Sequence, residues 1–396
     1  MDKNLIVGVD IGKSTHYASV IDSAGMRIGG VIQCSNSSAG AALLLDRIAS
    51  VNPKKMAVVF GLEATGHYWL SLYSFLTEHK YPVYVINPYQ SDAWRKMVLS
   101  TTKTDKEDSY HIADIIRFGH VTETKLADEN IIALKNLCRF RIALMQQITD
   151  TKRRVITIMD QVFPEFETLF STMFGKTAQV LLSEATTPEE VAEISIPKLT
   201  TILKKASRGR FGQKKAEEIK QKAATSFGVR FALDSFTLEL ELLLKQVAFF
   251  EQQLKTIDTK IVDLMSPINS VLTTLPGVGT TLAATITAEI GDITRFRTSA
   301  QLVSYAGLNP TVRQSGNFIG NKNRMSKKGS PYLRFALWQA AMTSVRYNPV
   351  LKAYHQQKIK EGKHYMTAIG AVARKLAGIM FAMLKHNKPF VPAAAL

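Results

Sequence analysis

Four carboxylates hold the positions from which chemistry is easiest to derive. Asp10 closes the apolar run LIVGVD, Glu63 closes MAVVFGLE, and Asp105 and Asp108 stand three apart in KTDKED. A carboxylate ending such an apolar run is costly to bury unless it is paired or bound to a metal. Asp105 and Asp108 share one face of a helix start. Capping by Thr104 or Asp105 and the helix dipole, worth under about 1 kcal/mol each, also account for that pair. Four carboxylates from three elements, all reaching one edge of a sheet, form a hard oxygen site suited to Mg²⁺. Two such ions about 4 Å apart activate a nucleophile and stabilise a leaving oxygen in phosphodiester chemistry.

A second set lies in the last third of the chain. Ser315 sits in the polar stretch VRQSGN beside Arg313, and Lys322, Arg324, Lys327 and Lys328 follow. A serine alcohol becomes a useful nucleophile when its proton is removed and the charge on the phosphate is neutralised. The cations suit the second task; a loop serine bonded to its own backbone is the ordinary alternative. Upstream, LPGVG places Gly277 and Gly279 between two apolar helical stretches. That is a helix-hairpin-helix-like turn whose backbone N–H groups can face a phosphate, or an ordinary tight turn.

The elements that must position these groups follow from patterning. Residues 5–9, 16–21, 26–33, 56–63 and 81–88 read as strands, and 38–50 and 67–80 as helices. Strands first, then alternating strand and helix, predict a mixed sheet flanked by helices, the order of the ribonuclease-H-like fold. Open α/β sheets carry their sites at the carboxyl ends of strands, which is where Asp10 and Glu63 fall. The turn GVDIGKS also suits the phosphate turn of sugar kinases and actin-like ATPases, but no second Gly-rich phosphate loop follows.

Residues 127–165 are helical in pattern. In 240–264, Leu240, Leu243, Val247, Phe250, Leu254, Ile257, Ile261 and Leu264 step by alternating threes and fours, a coiled-coil seam that can pair within one chain or with a second protomer. Residues 166–235 read as short helices with a basic stretch, ILKKASRGRFGQKK (202–215), that suits either a solvated face or phosphate contact. A helix is expected over about 298–306 and another from Pro331.

The 396 residues carry 50 Lys+Arg against 33 Asp+Glu, a net +17. Residues 1–120 hold 12 basic and 11 acidic side chains, whereas 266–396 hold 17 and 3. An excess confined to the last third points to phosphates, and so to nucleic acid. Ordinary hydrophobic (46%) and charged (21%) fractions exclude wholesale disorder. Two cysteines, Cys34 and Cys138, are too few for a disulfide scaffold or a zinc cluster and fit a reducing cytosol. The N-terminus does not read as a signal peptide. The apolar stretch 368–384, broken by Arg374 and Lys375, reads as too short for a bilayer, so no membrane partner is expected. Three domains are expected: 1–125, 126–265 and 266–396.

Taken together, GVDIGK, GLEATG and KTDKED, followed by LPGVG…AEIGD…F…YAGL.P..RQSG…SK.G, resemble the DEDD-type transposases of bacterial insertion sequences, the family of the bridge-RNA-guided recombinases and the pilin-gene invertase. Ser109 departs from the Ala common after the last signature Asp. The resemblance implies a RuvC-like N-terminal domain with its four acids on Asp10, Glu63, Asp105 and Asp108, holding Mg²⁺. It also implies a helical coiled-coil middle, and a mostly α C-terminal transposase domain with the catalytic serine at Ser315. Implied partners are donor and target DNA, a structured non-coding guide RNA and further copies of the chain as a dimer or tetramer, in a cytoplasmic, nucleoid-associated setting. Two other readings stay open: a metal-dependent junction nuclease that needs the acids but not Ser315, and a non-catalytic nucleic-acid-binding protein.

Overall fold

Alternation and turn signals in the first 126 residues give five strands. In the computed structural model they are β1 (Asn4–Ile11), β2 (Thr15–Ile21), β3 (Ile32–Ser35), β4 (Ala57–Glu63) and β5 (Val83–Ile86). Interleaved are α1 (Ser38–Ser50), α2 (Trp69–Glu78), α3 (Pro88–Met97) and α4 (Asp105–Arg117). The structure describes every residue except 1–3, 65, 99–103, 120–123, 125–127, 312–313, 316–317, 320–323 and 392–396; for 314–315 and 318–319 only the backbone is described.

The sheet order is β3-β2-β1-β4-β5. β1, β2 and β3 pair antiparallel, and β1, β4 and β5 pair parallel. This mixed sheet with helices on both faces is the ribonuclease-H-like, RuvC-like arrangement. Leu5, Val7, Val9 and Ile11 pack with α1 and α2 on one face, while Ile6 packs with α4 on the other. Both faces are therefore covered, which is why β1 reads as an unbroken apolar run. The strand expected at 26–33 falls instead at Ile32–Ser35. Gly29, at φ +70°, and Gly30 break the earlier stretch, and only an isolated bridge between Ile21 and Arg27 remains of it.

The chain divides into two compact units, 1–126 and 127–396. The second is helical among the described residues apart from one short hairpin. α5 (Glu129–Val162) is followed by five short helices: α6 (Phe166–Leu169), α7 (Lys176–Glu184), α8 (Pro188–Glu193), α9 (Ile196–Ala206) and α10 (Gln213–Ala224). Then come α11 (Leu233–Met265), α12 (Thr280–Ile290) and α13 (Ser299–Tyr305). The hairpin β6 (Gln314–Ser315) and β7 (Phe318–Ile319) precedes α14 (Pro331–Tyr347), α15 (Pro349–Lys360) and α16 (Tyr365–His386).

α5 and α11 run antiparallel against each other within the chain. Arg141 Nε donates to Asp258 Oδ1 at 2.5 Å and Lys152 Nζ to Glu251 Oε1 at 2.6 Å across them. The 3-4 seam of α11 faces inward, with Leu240, Leu243, Val247, Ile257 and Ile261 buried. One end of this pair shares a core with α12–α16 and the other end closes over α6–α10. α16 has 22 residues, long and apolar enough to cross a bilayer, contrary to the expectation from 368–384; 56% of its most apolar 18-residue stretch is buried in the second unit.

Among the described residues of this unit, Glu289 of α12 is the buried carboxylate, at 1% exposure. Arg139 of α5 donates to both its oxygens, at 2.5 and 3.0 Å, and Ser330 Oγ donates to Oε2 at 2.8 Å. Removing one partner of a buried pair strands the other charge in a poor solvent. Arg139→Ala, which leaves Glu289 buried with Ser330 alone, is therefore expected to cost about 3–5 kcal/mol of stability, read as a lowered urea midpoint; a midpoint shift equivalent to under about 1 kcal/mol would show that the pair is not holding α5, α12 and α14 together.

Candidate active site

Register explains how the first unit gathers its acids. Gly8 of β1 pairs directly with Gly61 of β4. A Cβ on Gly8 would meet Ser109 O at 2.1 Å and Ala113 N at 2.4 Å; one on Gly61 would meet Ile116 Cδ1 at 2.2 Å. The two glycines thus make a bare floor: α4 rests on Gly8 at backbone contact and on Gly61 through the side chains of Ile112 and Ile116. Two residues on along each strand, and on the same face, come Asp10 and Glu63. The first turn of α4 carries Asp105 and Asp108 to this edge. Thr104, whose Oγ1 accepts from Glu107 N at 3.3 Å, caps the helix, so Asp105 is not needed for capping. Ser109 joins Ser19 of β2 by a buried hydroxyl–hydroxyl bond and fixes the same turn, so the Ala-to-Ser departure is absorbed by packing.

Asp10, Glu63, Asp105 and Asp108 line one open cleft of about 420 Å³ with Ser91, Asp92 and Arg95. Burial, then the charges of Asp105, Asp108 and Glu63, raises the Asp10 carboxyl to about 7. Arg95 of α3 was not legible as a site residue. Its Nε and Nη2 donate to Asp108 Oδ1 at 3.1 and 2.9 Å, and it lies 3.8 Å from Asp92. The sequence signals only the i,i+3 spacing to Asp92. A cleft with five acids against Arg95 and the outer Lys96, bonded to Asp92 at 2.7 Å, carries uncompensated negative charge. Its donors are all hard oxygens, which fits a divalent cation by chemistry. Among the described residues no three His, Cys, Asp or Glu side chains stand as a ready-made cage, Asp108 being engaged by Arg95.

Gly8→Ala tests the floor directly. It is expected to destabilise the protein by about 1–3 kcal/mol through overpacking and to displace the α4 acids. Thermal melting checks this, and an unshifted melt would mean that α4 does not rest there.

In the second unit, Ser315 pairs with Phe318 across the β6–β7 hairpin rather than lying in an open loop. The hairpin's base is tied: Thr311 N donates to Arg324 O at 2.7 Å and Ser326 N to Asn309 O at 2.9 Å. Gly329 passes so close to Tyr305 that a Cβ would meet its carbonyl at 2.2 Å, and Ser330 N donates to that same oxygen at 2.8 Å. Arg324, Lys327 and Lys328 are exposed around this base. Arg313 and Lys322 lie outside the described residues.

The two LPGVG glycines part company. Gly277, at φ +91°, is pressed on α14, where a Cβ would meet Ser344 N at 2.7 Å, and its carbonyl accepts from Thr343 Oγ1 at 2.7 Å. Gly279 is the exposed N-cap of α12 with open space around it and no side-chain cap. The arm before this turn is a four-residue 3-10 helix, Val271–Thr274, so the motif is a shortened version of the two-helix hairpin expected.

Two protein-family models match the chain in order: one described as transposase over residues 7–164, and one described as transposase of the IS116/IS110/IS902 family over 269–356. Among curated relatives, an uncharacterised 43.6 kDa protein of the insertion element IS110 from Streptomyces coelicolor is 24% identical over 391 residues, covering 98% of this chain and 95% of its own. A pilin gene-inverting protein from Moraxella bovis is 26% identical over 336 residues, covering 83% and 80%. A solved structure of Thermus thermophilus RuvC with a Holliday junction substrate matches 30% of this chain and 99% of its own, at 15% identity and a TM-score of 0.23.

Proposed function

Because this chain belongs to the IS116/IS110/IS902 family of transposases, we propose that it cuts and rejoins donor and target DNA of an insertion sequence through a serine–phosphate intermediate. Asp10, Glu63, Asp105 and Asp108 would hold Mg²⁺, and Ser315 is the nucleophile. The observation that carries this reading is the gathering of the four acids on one cleft, with the Asp10 carboxyl pushed to about 7 by burial and then by the neighbouring acids.

A divalent cation bound there supplies Lewis acidity toward a phosphodiester oxygen. The chain supplies the rest. Ser315 Oγ forms a bond to phosphorus as a phosphorus–deoxyribose oxygen bond breaks; the hydroxyl proton leaves to a base, and the departing oxygen takes one up. A second attack by a deoxyribose hydroxyl on the phosphoserine restores the phosphodiester and the free serine. Arg313, Lys322, Arg324, Lys327, Lys328 and the open helix start at Gly279 neutralise phosphate charge, and Gly277 shapes the turn that presents Gly279. We assign the acids and the serine to the same phosphate in the DNA-bound assembly, contributed by different protomers of a dimer or tetramer. A structured guide RNA supplies the sequence choice, a role that rests on the family resemblance alone; the net charge of +17 speaks only for phosphate binding.

The test is denaturing electrophoresis of the protein with labelled donor DNA, its flanking transcript and Mg²⁺. A labelled adduct that survives denaturant and is lost on protease treatment supports the covalent route. Cleavage without an adduct would assign the chain to the hydrolytic junction nucleases instead.

A further inference from the structure

Residues 165–268 fall between the two family-matched stretches. Their short helices close a core on α5 and α11, with Phe166, Leu181, Leu203 and Ile219 fully buried. That core accounts for the inner face of this cap; its outer face carries a different signal. From Ile194 to Ala216 the chain has no acidic residue and seven basic ones. Lys215 is engaged locally, 2.9 Å from Glu218 and over the rings of Phe170 and Phe211. Lys204, Lys205, Arg208, Arg210 and Lys214 are exposed, and among the described residues they make no ion pair. Lys176 at the start of α7 is exposed as well.

The helix dipole favours Lys204 and Lys205 in the last turn of α9. It does not explain Arg208 and Arg210 beyond that helix, and it disfavours Lys214 and Lys176, which stand in the first turns of α10 and α7. Like charges crowded in this way repel unless an anion answers them. The turn that carries them is fixed: Gly209 N donates to Lys204 O at 2.8 Å and Phe211 N to Ser207 Oγ at 2.9 Å. Beside it lies a cleft of about 230 Å³ lined by Ser171, Thr172, Lys176, Ser207 and Arg210.

We propose that this α9–α10 turn, with the start of α7, is a docking surface for the sugar–phosphate backbone of duplex DNA. The inference rests on the reading above only in that the chain acts on DNA; it does not need Ser315 or the acids. Duplex is favoured over single-stranded RNA by the aromatic residues. Recognition of unpaired bases uses exposed rings for stacking, and the two rings at this turn, Phe170 and Phe211, are only partly exposed and pack on each other, centroids 6.0 Å apart, with cations over them; the exposed Phe227 and Phe231 lie beyond the far end of α10.

The test uses the full-length protein and fluorescence anisotropy of a labelled 30-base-pair duplex across a salt series. Lys204→Gln, Lys205→Gln, Arg208→Gln and Arg210→Gln together are expected to weaken duplex binding at least tenfold and to flatten the slope of log affinity against log salt by about 3 to 4. A charge-conserving set (Lys204→Arg, Lys205→Arg, Arg208→Lys, Arg210→Lys) should retain most of the affinity, and loss in both sets would assign the residues to folding and overturn the proposal. An unchanged slope in the glutamine set would overturn it too, as would a loss confined to single-stranded RNA of equal length. If the wild-type chain binds no duplex, DNA recombination fails as well; if it binds and the glutamine set binds equally, only the docking surface fails.

Discussion

Ser315→Ala is expected to eliminate the covalent protein–DNA adduct entirely and to lower strand exchange to background, while leaving divalent-cation binding to the first unit intact. The physical reason is that on the proposed route the Ser315 oxygen would hold the cut strand end, and Arg, Gln and Gly of the RQSG sequence offer no hydroxyl in its place. Cysteine at the same position would keep a nucleophile of different reach and acidity, and should restore a faint adduct at most. The measurements are denaturing electrophoresis for the adduct and calorimetric titration with Mg²⁺ for the cleft. If Ser315→Ala still yields the adduct, Ser315 is not the nucleophile. If the adduct never forms in either protein yet DNA is cut, the acids work alone by hydrolysis.

Asp10→Asn is expected to reduce DNA cleavage by about 10²–10³-fold or more, the scale on which a single charge-stabilising group contributes to a transition state, with DNA affinity nearly unchanged. It should have the opposite effect on the folded state. Unfolded, this carboxyl ionises near 3.8; folded, it does so near 7, because burial and three neighbouring acids oppose its charge. Between those values the unfolded chain has released the proton and the folded chain retains it. Rising pH through that window therefore drains stability from the cation-free protein; the cost is absent below 3.8 and complete above about 7. The cleft is open to water, so the loss is expected to be about 1–2 kcal/mol rather than the full value of the shift. The amide introduced by Asp10→Asn carries no such charge. Without divalent cations at pH 8, the variant should melt above the wild type; near pH 4 the two should converge. Mg²⁺ should raise the wild-type melt at pH 8 and leave the variant's nearly unchanged. Equal melting of both proteins at every pH, with and without Mg²⁺, would remove Asp10 from the cation site.

The elements that carry the acids were legible because their signals are local. β1 is an apolar run stopped by Asp10, α1 begins at the Ser37 cap, and α4 begins at the Thr104 cap. β3 was misplaced by several residues because pairing to β2, not propensity, decided where the strand forms, and Gly29–Gly30 ended the more apolar stretch. The heptad pattern showed that α11 needed a partner but not which one; the structure supplies α5 of the same chain. The LPGVG turn was legible, but the division of labour between Gly277, against α14, and Gly279, open at a helix start, was not.

By itself, the sequence determined which residue types this protein could use for chemistry, the order of its strands and helices, and the confinement of positive charge to particular stretches. Those are properties of composition and of neighbours a few residues apart. Tertiary structure decided what joins residues far apart in the chain. Gly8 meets Gly61 only through strand register, and the α4 backbone can lie on Gly8 because that residue has no Cβ. Arg95 closes on Asp108, and Arg139 reaches Glu289 from 150 positions away. No local pattern encodes such contacts: they form when burial removes the water that would otherwise have satisfied each charge, leaving the partner across the fold as the remaining way to compensate it.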